Sequence, residues 1–249
     1  MRRVLDWLFT IPFLVAFGLT LVLYDIVGRI VRPLSLRGFE YVMAALQRTL
    51  MNCFRICGTR ICVERSPAIE PRTGYAIISN HQSMFDIVLI GGLLFTNFPK
   101  YVAKKELGRG LPSISLNLRR GGNALIDRKD RAQALAAISE MTKTAQRRNV
   151  SVAIFPEGTR SRDGRLKTFR RAGSQALLEG ADQLPVIPVV VDGAWKLLRH
   201  NLKPVPFGTR VRVKFGDPIP RAPGDAGEVA ARAEAWIAAT LDEWQGVET

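Results

Sequence analysis

From Arg60 onward, short apolar runs alternate with longer stretches of helical periodicity. The runs Tyr75–Ser79, Tyr101–Ala103, Ala124–Ile126, Val150–Phe155, Val186–Val191 and Val211–Phe215 read as strands. The stretches Ser83–Leu94, Arg131–Arg147, Arg171–Glu179 and Ala226–Trp244 read as helices. Helices that follow strands in this order cover a sheet. The expected fold is therefore α/β, a largely parallel or mixed sheet flanked by helices. Pro and Gly near 203–208 and 216–224 mark surface loops. In the last helix Val229, Trp236, Ile237, Leu241 and Trp244 share one stripe, which suits packing better than ligand binding. With 249 residues and 47% hydrophobic content the chain supplies an ample core.

The first sixty residues follow another rule. Trp7 to Tyr24 carries no charge and is bounded by Asp6 and Asp25. As a helix it covers ~27 Å, just short of a bilayer core. No small-residue cleavage site is evident before Asp25, and Pro12 is a potential kink. The segment suits either a span or a dip into the membrane and back. Positive residues on both sides, Arg2 and Arg3 before and Arg29, Arg32 and Arg37 after, leave its orientation open. A second helix is expected from about Leu36 to Cys57. Leu46, Leu50, Cys53 and Cys57 line one face; Arg48, Asn52 and Arg55, with Arg37, line another. A basic face opposite an apolar one favours a helix in the headgroup layer over one packed on the domain. The expected division is an N-terminal membrane-associating helical segment over 1–60 and an α/β domain over 61–249.

Charge narrows the partners. The 36 basic residues outnumber the 22 acidic ones, for a net +14. Such an excess calls for a polyanion: nucleic acid, an anionic membrane surface, or a phosphorylated substrate. No nucleic-acid module is present and few aromatics interleave with the basic residues, so no nucleic-acid partner is expected. The three cysteines form neither a disulfide framework nor a zinc spacing, and no metal ligand set is visible. Cys53 and Cys57 are expected as buried small hydrophobes.

Candidate chemistry begins after the first buried strand. Asn80, His81, Gln82, Ser83, Met84, Phe85 and Asp86 contain one of only two histidines, with a carboxylate five residues later. On a single helix, five residues turn the side chains about 140° apart. With a helix starting near Ser83, His81 falls in the turn and Asp86 in the first helical turn, within reach of the imidazole. That arrangement suits a general base held in one tautomer by an acid. The plainer reading is a His satisfied in a turn and an Asp at a helix N-terminus.

Further strand ends supply cations. Gly121 and Gly122 precede Asn123–Ile126, which leads into Asp127 and Arg128. Val150–Phe155 leads into Pro156, Glu157, Gly158, Thr159, Arg160 and Ser161. In open α/β sheets, ligands collect at the carboxyl ends of strands. If these ends converge, Arg128 and Arg160 are placed to fork onto a phosphate dianion, and Gly158 lets backbone amides approach it. Glu157 is then available to orient Arg160 or to accept a hydroxyl.

The combination resembles the glycerolipid acyltransferases. Their Asn-His-x-x-x-x-Asp block is met by Asn80, His81 and Asp86; Gly-x-x-x-Ile-x-Arg by Gly122, Ile126 and Arg128; and Phe-Pro-Glu-Gly-Thr-Arg-Ser by Phe155 to Ser161. Leu184 to Val189 matches the proline-containing apolar strand, and Ala103, Lys104, Lys105, Glu106 and Leu107 match the lysine-bearing stretch. The resemblance covers roughly Gly74 to Val191. One departure follows Pro112, where Ser113, Ile114 and Ser115 stand in place of the bulky residues of many relatives.

The resemblance implies transfer of a fatty acyl group from a thioester, acyl-CoA or acyl carrier protein, to the hydroxyl of a lysolipid, with lysophosphatidic acid favoured. His81 and Asp86 would be catalytic. Arg128, Glu157, Gly158, Thr159 and Arg160 would position the acceptor phosphate, with Lys104, Lys105 and Gly122 as further substrate-binding positions. No Gly-x-Ser-x-Gly elbow is present, which favours direct attack on the thioester over an acyl-enzyme. No cofactor is expected beyond the donor. The expected location is the inner membrane, with the catalytic domain facing the cytoplasm. Two rivals are an acyltransferase for another lysolipid, such as lyso-ornithine lipid or a lysophospholipid, and a non-catalytic basic membrane-binding protein.

Overall fold

The computed structural model of the protein describes residues 2–246. Its first two helices, α1 (Arg2–Leu34) and α2 (Leu36–Cys53), form a hairpin hinged at Ser35, whose hydroxyl accepts the Gly38 amide and caps α2. The remaining order is β1 (Arg60–Arg65), β2 (Ala76–Ser79), α3 (Asp86–Leu93), β3 (Lys100–Lys104), α4 (Ile114–Arg120), β4 (Ala124–Ile126), α5 (Arg131–Arg147), β5 (Val152–Ile154), α6 (Arg171–Gly180), β6 (Val186–Asp192), β7 (Arg210–Phe215) and α7 (Ala226–Gln245).

The strands form one mixed sheet in the order β1-β7-β6-β2-β5-β3-β4. Among the described strands, only β6 and β7 pair antiparallel. Strands β2 to β6 therefore run one way, while β1 and β7 run together the other way.

Side-chain alternation explains the layers. In β2, Ile77 enters a core shared with α1, α2 and α3, whereas Ala76 and Ile78 enter a second core shared with α5, α6 and α7. In β6, Ile187, Val189 and Val191 go to the first core, and Val186 and Val190 to the second. The α7 stripe packs as its pattern predicts, with Val229, Ile237 and Leu241 buried and Trp236 and Trp244 against the same core.

Sequence pattern misses two elements. Strand β1 is at the sheet edge and nearly every residue in it is exposed, and its apolar run of Ile61, Cys62 and Val63 is only three residues long between charged ones. Helix α4 is only 7 residues long, too short for a periodic pattern to stand out.

The N-terminal hairpin corrects one expectation. Helix α2 does not present an apolar face to a membrane. Its Phe39, Met43, Leu46 and Leu50 are buried in the first core, together with Phe13 of α1 and Phe85, Leu89 and Ile90. Arg48 lies over the Phe95 ring at 4.2 Å and donates to the Gly92 carbonyl. The core thus runs across residue 60. Close approach is possible because α3 offers Gly91 and Gly92; a Cβ on Gly92 would meet Arg48 backbone at 3.2 Å. Cys53 and Cys57 are buried.

At the other end of α2, the buried Glu40 carboxylate takes Lys100 Nζ at 2.6 Å and Arg148 at 2.9 Å. Burial pulls the Lys100 pKa down to about 8, against the pull of Glu40 in the opposite direction.

Helix α1 runs unbroken through Pro12 for 33 residues, about 50 Å. It is long and apolar enough to cross a membrane. One side packs Phe13 and Phe17 onto the domain. The other exposes Val4, Leu8, Ile11, Val15, Leu19, Leu23, Ile26 and Ile30, each more than half accessible. Those positions recur at three- and four-residue steps, so they form one continuous stripe.

Candidate active site

The turn from β2 into α3 is held by polar groups that are almost all buried. Asn80 reaches across to β6, donating to Val191 O and accepting from Val191 N, both at 2.8 Å. Asp86 opens α3 and is fully buried. Its Oδ2 accepts from His81 Nδ1 at 2.8 Å, Gln82 N at 2.7 Å and Ser83 N at 2.8 Å. The carboxylate closes the turn and fixes the imidazole together. With Nδ1 committed to Asp86, His81 Nε2 is the ring nitrogen left to act on a ligand. The imidazole stacks on Phe155, with centroids 4.2 Å apart and planes 20° apart.

The turn after β5 grips the same histidine by its backbone. Glu157 Oε1 accepts the His81 amide at 2.6 Å, and Ser161 N donates to the His81 carbonyl at 2.7 Å. Glu157 Oε2 accepts Lys167 N at 3.1 Å. Burial pushes the Glu157 carboxyl up to about 7, although both amides favour its charged form. The expected partnership of Glu157 with Arg160 does not form: the carboxylate is buried and turned onto two backbone amides, while Arg160 is exposed on the turn. Gly158, at φ +66°, makes the sharp reversal that brings Glu157 back toward His81.

A cavity of about 500 Å³ opens at His81. Its walls include Val102, Ala103, Ile126, Ile138, Ile154 and Phe155, and it is bordered by Gly158, Arg128, Arg131 and Arg170. An apolar recess edged by cations and adjoining an oriented imidazole suits an amphiphile with an anionic head.

The predicted residues divide on this geometry. His81, Asp86, Arg128, Glu157 and Gly158 belong to one constellation. Thr159 and Arg160 are exposed on the turn, and Arg160 does not line the cavity; its carbonyl takes Lys167 Nζ at 2.8 Å. Lys104 is exposed at the end of β3, and Lys105 pairs with Asp127 rather than facing the cavity. Gly122 lies at the other end of β4 from Arg128, because it precedes the strand whereas Arg128 follows it, and it does not line the cavity. Its φ of +82° turns the chain from α4 into β4, a backbone conformation that favours glycine.

Arg131 and Arg170 line the cavity outside every motif. A signal for both exists in the sequence: each stands where a helix begins, Arg131 in the first position of α5 and Arg170 just before α6. A positive charge there opposes the helix dipole, so its presence calls for another reason.

Comparison with known proteins agrees with this arrangement. The sequence model of the Acyltransferase family matches residues 60–192. A 1-acyl-sn-glycerol-3-phosphate acyltransferase of Cocos nucifera is 34% identical over 170 residues, 66% of this chain and 51% of that protein. The enzyme of the same name from Salmonella typhimurium is 34% identical over 138 residues, 55% of each chain. The matched region spans about half the length of these relatives. Among solved structures, the crystal structure of a 1-acyl-sn-glycerophosphate acyltransferase from Thermotoga maritima superposes with a TM-score of 0.80 at 23% identity, over 100% of both chains, which establishes the shared fold. The family match covers more than half of the sequence and contains the His81–Asp86 pair and the Phe155–Ser161 turn, so the chain belongs to the Acyltransferase family.

Proposed function

We propose that the protein transfers a fatty acyl group from a thioester to the sn-2 hydroxyl of 1-acylglycerol-3-phosphate, giving phosphatidic acid. The observation that carries this reading is the oriented His81–Asp86 pair opening onto an apolar cavity edged by arginines. The matched relatives bear the name of this activity.

In the proposed reaction, His81 Nε2 removes the hydroxyl proton as the oxygen attacks the thioester carbonyl. Asp86 stabilises the resulting imidazolium and prevents the ring from turning. Collapse of the tetrahedral intermediate breaks the carbon–sulfur bond, and the proton passes from His81 to the departing thiolate. The cationic border orients the acceptor phosphate, supplying proximity rather than chemistry. Acyl-CoA and acyl carrier protein both fit as donors, and the reaction uses no other cofactor.

Acceptor and product reside in a bilayer, and the exposed stripe of α1 supports attachment to one. The protein then works at the cytoplasmic face of the inner membrane, where the basic surface meets anionic lipid.

The test is acyl transfer by the purified protein in lipid vesicles holding lysophosphatidic acid, with palmitoyl-CoA and palmitoyl carrier protein supplied separately, beside His81→Ala. Phosphatidic acid from the wild type and a loss of several orders of magnitude in the variant is the expected result. No product with either donor refutes the acceptor assignment. Equal product from both proteins refutes His81 as the base.

A further inference from the structure

Gln82, the residue after His81, is 2% exposed and does not line the cavity. Its side-chain amide is placed for its donor. Nε2 donates to the Gly164 carbonyl at 3.0 Å and lies 3.5 Å from Asp192 Oδ1, while the buried Oε1 meets no partner among the described residues. A buried oxygen without a hydrogen bond costs stability, so what Nε2 holds decides where this side chain sits.

Nε2 holds the loop that follows the β5 turn. Ser161 N donates to the His81 carbonyl at 2.7 Å, and three residues later Gly164 O accepts from Gln82. Residues 161–164 are thus fastened at both ends to the turn that carries the base. Gly164 suits its place because its φ is +87° and the Trp195 ring lies against it; a Cβ there would collide with Trp195 Nε1.

The far end of the chain shares the same two acceptors. Gln245, the last residue of α7, donates through Nε2 to Gly164 O and to Asp192 Oδ1, both at 3.2 Å. Asp192 ends β6, next to the Val191 backbone that pairs with Asn80. Its other oxygen takes Arg212 of β7 at 2.8 Å, and Arg212 also donates to Trp244 O at 2.7 Å and lies over the Trp244 ring at 4.6 Å. The end of α7 is therefore seated on β6 and β7 at the place where it reaches Gly164.

We propose that Gln82, Asp192 and Gln245 form a tie through which the C-terminal end of α7 holds residues 161–164 closed on the His81 backbone. The inference rests on the acyl-transfer reading given above. None of the three lines the cavity, so each is a positioning residue. Loosening the tie frees the His81 carbonyl and lets Nε2 drift from the attacking hydroxyl. A displacement of about 1 Å costs up to about 100-fold in rate, and acceptor binding at the cavity wall is spared.

Gln245 is exposed, so its replacement costs little stability and carries the test. With lysophosphatidic acid in vesicles, Gln245→Ala is expected to lower kcat by about 3- to 10-fold and to keep KM within about twofold. Gln245→Lys, a donor of similar reach, recovers most of that loss; Gln245→Glu, which has no donor and faces Asp192, deepens it. Gln82→Ala lowers kcat by about 10- to 30-fold, and the double variant with Gln245→Ala loses less than the product of the two. Hydrogen–deuterium exchange gives a readout independent of turnover. The Ser161 amide should exchange faster in Gln245→Ala and in Gln82→Ala, with the amides of β5 unchanged. Unchanged kcat in Gln245→Ala, equal loss in Gln245→Lys and Gln245→Ala, or Ser161 exchange at the wild-type rate overturns the inference. Faster exchange spread through β5 means general loosening and overturns it too. Wild type without product refutes the acyl-transfer reading instead, and exchange at Ser161 then still decides whether the tie holds the loop.

Discussion

The side-chain amide of Asn80 exchanges two hydrogen bonds with the backbone of Val191, each 2.8 Å long. Where β2 ends, Asn80 continues its pairing with β6 by means of a side chain, leaving the backbone free to turn through His81. Replacing it with Ala strands one amide and one carbonyl in a buried setting. Asn80→Ala should cost about 2–4 kcal/mol in urea denaturation and lower kcat more than it raises KM. A variant as stable as the wild type would show that the pairing is dispensable.

Asp86 gives one oxygen to three donors. Asp86→Asn keeps the shape but removes the charge that holds His81 Nδ1–H and stabilises the imidazolium. We expect kcat to fall by about 10³-fold or more with little change in KM. Steady-state kinetics at saturating acceptor decides; a loss under tenfold would exclude the pair as a catalytic unit.

Glu157 gives a pH signature. Its carboxyl is buried and its pKa is raised from 4.5 to about 7. Between those values the folded state holds a proton that the unfolded chain releases. This contribution to stability is fully present below pH 4.5 and is lost as pH rises through about 7. Glu157→Gln cannot titrate. Relative to this variant, the wild type should lose on the order of 2–3 kcal/mol across that window. Unfolding curves of both proteins at pH 5, 6, 7 and 8 test this, and parallel stability profiles would contradict it.

The exposed stripe of α1 makes a separate prediction. Leu8 and Leu19 are 63% and 66% accessible, so Leu8→Asp with Leu19→Asp should leave folding stability within about 0.5 kcal/mol per site. The same change should abolish sedimentation with anionic vesicles. Retained binding would assign membrane attachment to the basic surface alone.

These features differ in how far they could be read from the chain. The reach of Asp86 back to His81 is legible because five residues exclude a shared helix and force one of the two into the turn. The buried strands are legible because β2, β5 and β6 are hydrophobic on both faces. The place of Arg160 is not legible because a motif is linear: the residue three positions after Glu157 has turned outward, while Arg170 comes to line the cavity through a loop whose path no local pattern encodes. Gly122 and Arg128 belong to one motif, yet the strand between them carries them to opposite ends of β4, which the motif's spacing alone does not announce. The amphipathic pattern of α2 is read correctly, but pattern alone does not say whether lipid or another helix covers the apolar side.

Strand β7 lies between β6, which precedes it, and β1, formed 150 residues earlier in the chain. Until β7 emerges from the ribosome, β1 has no partner and β6 has an open edge. The sheet therefore closes late in synthesis, by insertion of its last strand, long after α1 has been exposed to any nearby bilayer. An interrupted chain ending before Arg210 would carry an apolar helix in search of lipid and two unpaired strand edges, a combination that favours aggregation.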